Sequence, residues 1–303
     1  MKESPLVNLS SYFETFSKRG LELYLKREEL LHPHISGNKY RKLYYNLKEA
    51  TKLNHDTLLT FGGAYSNHIV ATAYAAQQQG FRSIGVIRGE ELAFTEPNPS
   101  LRFAESCGME FYFVSRETYR EKHTDKFLEE LQNRFGRFYS LPEGGTNELA
   151  VQGCEEILTK DDEKFTHIAL AVGTGGTLSG VIRTSLAHQK VLGFPAVRGN
   201  FLQKDICTFT NKSNWALIST YHFGGYAKIT KELVTFANEF YQKCGIALDP
   251  IYTAKMVYGI FDLAKKDYFR SSDQILMIHT GGLQAIAGMN ELLRKKNIPE
   301  LLQ

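Results

Sequence analysis

Lys39 stands where a polar, glycine-interrupted loop turns into an apolar-periodic helix, in the stretch HPHISGNKYRKLYYNL. Leu43, Leu47 and Ala50 recur at the spacing of one helix face, so the lysine falls at the start of that helix, directly after Gly37 and Asn38. A lysine at such a joint is ordinarily solvated. Desolvated beside cationic or polar groups, it loses basicity and becomes a nucleophile toward carbonyl carbon.

A second feature gives that amine a use. In AVGTGGTLSGV an apolar run ends at Val172 and a helix is expected to start near Thr177. Gly173, Gly175 and Gly176 remove side chains between them. Backbone N–H groups can then converge on an anion at the positive end of the helix. The dinucleotide fingerprint fails because Leu178 stands where glycine is needed. The Walker pattern fails because Val181 and Ile182 follow Gly180. The loop reads as a phosphate cup of another kind, Gly173, Thr174, Gly175, Gly176 and Thr177, without a lysine of its own. A phosphorylated aldehyde needs both anchors, a cup for its phosphate and an amine for its carbonyl. Lys39 and the cup together point to pyridoxal 5'-phosphate.

A third feature is TFGGAYSNHIVATAYAA, where Ser66 or Asn67 can cap a helix. The same hydroxyl and the exposed N–H groups of the first turn could hold a carboxylate, and Asn67 could donate to a phenolate-type oxygen. His68 falls inside that helix, where its plain reading is a packed or surface side chain.

The elements that position these residues alternate. TLLTF, SIGVI, EFYFV, HIALAV and QILMIH read as buried strands; residues 66–80, 116–136 and 174–189 read as helices. Alternation of this kind predicts parallel sheets flanked by helices. Ligands in such sheets sit at the carboxyl ends of strands. That rule selects TFGGAYSNH, LAVGTGGTLSG, STYHFGGYAK and MIHTGGLQ. Three strands cluster before residue 115 and two lie after 166, so two sheets are expected, with LPEGGTNELA as the crossing point.

Composition excludes several classes. Thirty-six basic against 33 acidic residues give +3, too little for nucleic-acid binding without a clustered basic face, and KYRK and LLRKKN read as solvated helix faces. Cys107, Cys154, Cys207 and Cys244 lack metal-ligand or redox spacing. No apolar run approaches the roughly 18 residues of a membrane span, and the first ten residues lack a signal core. A cytoplasmic protein with no metal, nucleic-acid or membrane partner is expected.

SGNKYRKL, GGAYSNH, GTGGTLSG, LDPIYTAKM and HTGG occur here in one order. In that order the chain resembles the pyridoxal-phosphate enzymes grouped as 1-aminocyclopropane-1-carboxylate deaminases and D-cysteine desulfhydrases, from about Leu21 to Gly288. The resemblance implies an α/β architecture like the tryptophan-synthase β-subunit (fold type II), with two open twisted sheets flanked by helices. It implies a large cofactor domain, 1–46 and 155–303, a small inserted domain, 47–154, and a homodimer. Residue by residue, Lys39 resembles the Schiff-base lysine. Ser66 and Asn67 resemble the pair that meets substrate carboxylate and cofactor 3-hydroxyl, Ser66 being also a base or nucleophile. Gly173 to Thr177 resemble the phosphate loop, Tyr226 and Tyr252 two active-site tyrosines, and Thr280 the residue at the pyridine nitrogen. Tyr65 and His68 flank the pair and join the substrate-binding set for a small amino acid.

Two positions bear on the reaction. Deaminases of this kind carry glutamate where Thr253 stands and an apolar residue where Thr280 stands. A carboxylate at the pyridine nitrogen keeps it protonated, which a threonine hydroxyl cannot do. The weaker electron sink favours thiol elimination over opening an aminocyclopropane. Tyr65 replaces the family's usual glutamine, and GGYAK lacks the second glycine often seen after the tyrosine. A β-eliminating lyase is the leading expectation, an aminocyclopropane deaminase the second, and a non-catalytic pyridoxal-phosphate carrier or sensor the alternative of another class.

Overall fold

The computed structural model describes residues 1–199 and 201–303. Its strands are β1 (Leu6–Asn8), β2 (Glu22–Lys26), β3 (Thr57–Gly62), β4 (Arg82–Arg88), β5 (Met109–Val114), β6 (Tyr139–Leu141), β7 (His167–Val172), β8 (Lys190–Pro195), β9 (Trp215–Leu217) and β10 (Gln274–Ile278). Six form one sheet in the order β1-β2-β10-β7-β8-β9, and four form a second in the order β5-β4-β3-β6. Among the described residues, only the β1–β2 pair is antiparallel.

Alternation of side chains sorts the large sheet into two buried faces. Leu23, Leu25, Ala169, Ile275 and Met277 pack with residues of helices Lys231–Cys244, Thr253–Lys265 and Ala285–Lys295. Ile168, Leu170, Leu276 and Ile278 pack with Leu178, Val181 and Ile206 on the other side. A parallel sheet covered on both faces reads as continuous apolar sequence, which is why β7 and β10 are legible. Register then sets the site. Ile278 pairs with Lys26 on one side and Leu170 on the other, so the segments after these strands leave the sheet at one level.

Expectation and structure differ in four places. β1, β6 and β9 are three residues each, too short for a pattern, while β2 (ELYLK) and β8 (KVLGFP) have charged or glycine- and proline-containing sequences. The helix expected over 116–136 is split into a 3-10 turn, Thr118–Glu121, and the α-helix Asp125–Phe135, whose start is capped by the Thr124 side chain accepting from the Phe127 N–H at 3.3 Å. The helix expected over 174–189 ends at Thr184, where Ser185 turns extended. Finally, KYRK is not a solvated face. Arg41 is 2% and Lys42 3% exposed, and Arg41 makes a two-pronged contact to the Glu28 carboxylate at 2.9 Å for each bond. LLRKKN does carry exposed basic side chains.

The helix Asn38–Lys52 is seated by two close approaches. Gly37 has φ 61°, and a Cβ there would lie 2.0 Å from the Thr280 carbonyl oxygen. A Cβ on Gly153 of helix Glu148–Glu155 would lie 2.0 Å from the Arg41 carbonyl oxygen. The division points expected at 46/47 and 154/155 fall inside these two helices. Gly37→Ala combines a left-handed backbone with a backbone collision. We expect a loss of about 2 kcal/mol or more in the free energy of urea unfolding, whereas Gly80→Ala, with nothing within 4 Å, should cost less.

Candidate active site

A cavity of about 710 Å³ opens where strand ends from both sheets meet. Ser66 follows β3, Arg88 ends β4, Glu143 follows β6, Gly173 follows β7 and Thr280 follows β10, and all line it. This is the carboxyl-end location that parallel sheets favour.

Lys39 enters the cavity from the first turn of its helix, half-buried. Its Nζ donates to Asn38 Oδ1 at 3.0 Å. Burial, then the charge of Lys42, brings its pKa down to about 7, against smaller opposing effects of Cys154 and Asp249. Among the described residues no carboxylate lies within ion-pair distance of Lys39 or Lys42.

The glycine loop lies beside these amines. Gly175, at φ 84°, is the N-cap of helix Gly176–Thr184, and no side chain caps that end. Asn38 Nδ2 donates to Thr177 Oγ1 at 2.8 Å, tying the loop to the residue before Lys39. Lys42 Nζ donates to the Gly144 carbonyl and Thr146 Oγ1, each at 3.0 Å. Thr146 and Thr174 hydroxyls are 2.5 Å apart, and a Cβ on Gly176 would lie 3.3 Å from Lys42 Nζ. Burial lowers Lys42 to about 8. The cup therefore does have a lysine, supplied from another part of the chain. Its sequence signal was the i, i+3 spacing of Lys39 and Lys42, which share a helix face.

Ser66 accepts from the Ile69 N–H at 3.3 Å as a cap, leaving its hydroxyl proton for the cavity. Asn67 opens the helix Asn67–Gln79, and its Oδ1 accepts from Gln284 Nε2 at 2.8 Å. His68 is 1% exposed and lines the cavity with neither ring nitrogen hydrogen-bonded to protein. Burial, then Lys39 and Lys42, holds it well below the ordinary imidazole pKa, so it is neutral. Tyr65 does not line the cavity. Its ring lies against Gly288 on helix Ala285–Lys295, where a Cβ would come within 2.8 Å, so the expectation that it joins the substrate-binding set is not met by the cavity wall.

Tyr226 and Tyr252 both line the cavity, with ring centroids 6.2 Å apart. Burial raises both phenols, Tyr252 well above its ordinary value, so both are proton donors near neutral pH. Thr280 lines the cavity, but Thr253 does not. Thr253 is fully buried, and its hydroxyl donates to the Asp249 carbonyl at 3.3 Å. Asp249, in the LDPIYTAKM motif, is not singled out by its spacing in sequence. Its carboxylate accepts from the N–H groups of Ile251, Tyr252 and Thr253 at 3.3, 2.7 and 3.3 Å and so fixes Tyr252. Burial raises it to about 7 against those bonds and Lys255.

These residues fit a phosphorylated pyridine aldehyde. An amine of low basicity faces the cavity, an uncapped helix end and a second amine face the same space, and a neutral histidine there lacks a partner. The volume suits a cofactor with a small substrate. Among the described residues, no helix is long and apolar enough to cross a membrane, and no cluster of His, Cys, Asp or Glu could hold a metal ion.

Comparison with known proteins agrees. Residues 2–281 match the family model described as "Pyridoxal-phosphate dependent enzyme". The bifunctional D-cysteine desulfhydrase/1-aminocyclopropane-1-carboxylate deaminase, mitochondrial, of Arabidopsis thaliana is 30% identical over 87% of this chain and 73% of its own. A D-cysteine desulfhydrase of Klebsiella pneumoniae is 27% identical over 88% of each chain. A crystal structure titled as an ACC deaminase homologue superposes with a TM-score of 0.83 at 29% identity, covering 97% of this chain and 94% of that one.

A lysine at about 7 is half neutral at pH 7, where an ordinary lysine is neutral to about one part in 10³ or less. Acylation of the cofactor-free protein should therefore rise at Lys39 through pH 7 and level off by about pH 8, while exposed lysines continue to gain toward pH 10. Peptide mapping after brief acetylation at several pH values checks this.

Proposed function

This chain belongs to the pyridoxal-phosphate dependent enzymes, and from that premise we propose a D-cysteine desulfhydrase-type β-elimination giving keto acid, ammonia and sulfide. It is a lyase of the group that holds the aminocyclopropane deaminases and the D-cysteine desulfhydrases. What supports the finer reading is that neither position that bears on the pyridine nitrogen carries a carboxylate: Thr280, just after β10, lines the cavity, and Thr253 stands where the resembling deaminases have glutamate. A hydroxyl does not protonate a pyridine nitrogen, so the substrate should carry a good leaving group, such as thiolate, rather than a strained ring carbon.

Lys39, Asn67, the Gly173–Thr177 loop and Thr280 would hold the cofactor, with Lys42 beside the loop. When bound, pyridoxal phosphate supplies the electron sink for negative charge at the substrate Cα. Ser66 and the first-turn N–H groups of helix Asn67–Gln79 orient the substrate carboxylate. Lys39, with a pKa of about 7, is matched to accept the Cα proton at neutral pH. Tyr226 or Tyr252, kept protonated by burial, donates a proton to the departing sulfur. His68 is neutral and close to both lysines, so it adds no positive charge against them.

Lys39→Ala should abolish the cofactor absorption band near ~410–430 nm and lower sulfide release by about 10³-fold or more. A surviving band would remove Lys39 from its role. D-Cysteine and β-chloro-D-alanine should yield keto acid, with 1-aminocyclopropane-1-carboxylate turned over far more slowly. Preference for the cyclopropane would overturn the elimination reading. Thr253→Glu with Thr280→Leu should shift the ratio of the two activities toward the cyclopropane by at least about tenfold, roughly 1.4 kcal/mol of differential stabilisation. An unchanged ratio would place substrate choice elsewhere.

A further inference from the structure

Lys255 is 1% exposed, and among the described residues it has no carboxylate within ion-pair distance. Burying a lone ammonium is costly unless its protons are taken up. Here two backbone carbonyls accept hydrogen bonds from two of its three N–H groups. Nζ donates to His222 O at 3.0 Å and to Gly225 O at 2.8 Å.

Those carbonyls belong to an unusual segment. Phe223, Gly224, Gly225 and Ala227 have φ of 50°, 93°, 114° and 54°, and two of these are not glycine. Left-handed backbone at non-glycine residues persists only where the surroundings impose it. The Gly224 N–H to His222 Nδ1 bond, at 3.0 Å, and the Gly225 N–H to His222 O bond, at 3.0 Å, close the turn locally. The Lys255 ammonium joins the turn to the body of the protein. Tyr226 sits inside this segment, 37% exposed, with its ring in the cavity.

Helix Thr253–Lys265 thus serves both phenols. Tyr252 is its N-cap and is held by Asp249; Lys255, in its first turn, holds the segment that carries Tyr226. Asp249 and Lys255 also act on each other electrostatically. We propose that Lys255 is a positioning residue, whose contacts to the His222 and Gly225 carbonyls fix the Tyr226 phenol opposite Tyr252. An apolar side chain of similar length would fill the space without desolvating a charge, but it would release both carbonyls and with them the turn.

The proposal rests on the reading above with Tyr226, rather than Tyr252, as the phenol that donates the proton, and its test separates the two. Tyr226→Phe should lower kcat by about 100-fold. Lys255→Met should lower kcat at least about tenfold, keep KM within about twofold, and retain the cofactor band. The double variant should match Tyr226→Phe within about twofold, because the lysine acts through the phenol. Full multiplication of the two losses, or a wild-type kcat in Lys255→Met, would overturn the proposal. A wild-type rate in Tyr226→Phe would remove the tyrosine's role and the lysine's with it.

A second readout needs no substrate. In the cofactor-free protein, Lys255→Met should speed hydrogen exchange of residues 222–228 at least about tenfold while leaving 176–184 unchanged. Unchanged exchange over 222–228 would overturn the proposal even if no substrate were turned over; faster exchange in a protein inactive on every substrate would sink only the elimination reading. Should Lys255→Met fail to fold, Gly225→Ala strains the same turn from the loop side. Its φ is 114° and its nearest neighbour is Arg198 Cγ at 3.6 Å. The same non-additivity with Tyr226→Phe is expected, and independent effects would contradict the assignment.

Discussion

Two amines one helical turn apart cannot remain cations in one shielded cavity without an anion between or beside them. Lys39 and Lys42 are placed that way, and their acceptors are an amide oxygen, a carbonyl and a hydroxyl rather than carboxylates. The protein meets this constraint in two ways. Burial lowers both amines toward neutrality, and the uncapped N-terminus of helix Gly176–Thr184 shares their space. An anionic ligand with an electrophilic carbon relieves the repulsion and uses the basicity that remains. The proposed nucleophile and the proposed anion site would then be two consequences of one crowded pair of charges.

Holding such a pair requires rigid surroundings, and the fold supplies them with close backbone approaches and buried ion pairs. Gly37 lets the Lys39 loop touch the Thr280 carbonyl, so β10 and the Lys39 helix share one corner. Gly153 brings a second helix onto the first, and Arg41, one residue before Lys42, is locked to buried Glu28. Removing one partner of such a pair costs about 3–5 kcal/mol because the other charge stays buried. Asp249 does the corresponding work for Tyr252 from the opposite wall.

What was legible in the sequence follows from this physics. Apolar strands covered on both faces, and glycine-rich strand ends, have patterns that survive without a structure, so β3, β4, β5, β7 and β10 and the four cavity-facing segments could be read. Lys39 was singled out by its joint with Gly37, and by a cup that wanted an amine. Charge in a buried place leaves no such pattern. Arg41 and Lys42 look in sequence like any solvated helix face, because burial of a cation is set by distant residues such as Glu28, Gly144 and Thr146. Tyr65 and Thr253 could be placed in a motif but not oriented. One packs onto Gly288 and the other donates to the Asp249 carbonyl, since successive residues at a helix entry point in different directions. Lys255 lies inside the LDPIYTAKM motif, yet its partners lie about thirty residues away on a turn whose left-handed backbone no residue type announces.

Of the shielded lysines, we propose that the low-basicity amine at the loop–helix joint alone engages the cofactor. Lys42 and Lys255 are also buried and lowered, which makes them the relevant rivals. Borohydride reduction of the native holoprotein, followed by digestion and mass mapping of the pyridoxyl group, distinguishes the three. Modification is expected on Lys39 alone; a pyridoxyl group on Lys42 or Lys255, with Lys39 unmodified, would refute the assignment of Lys39.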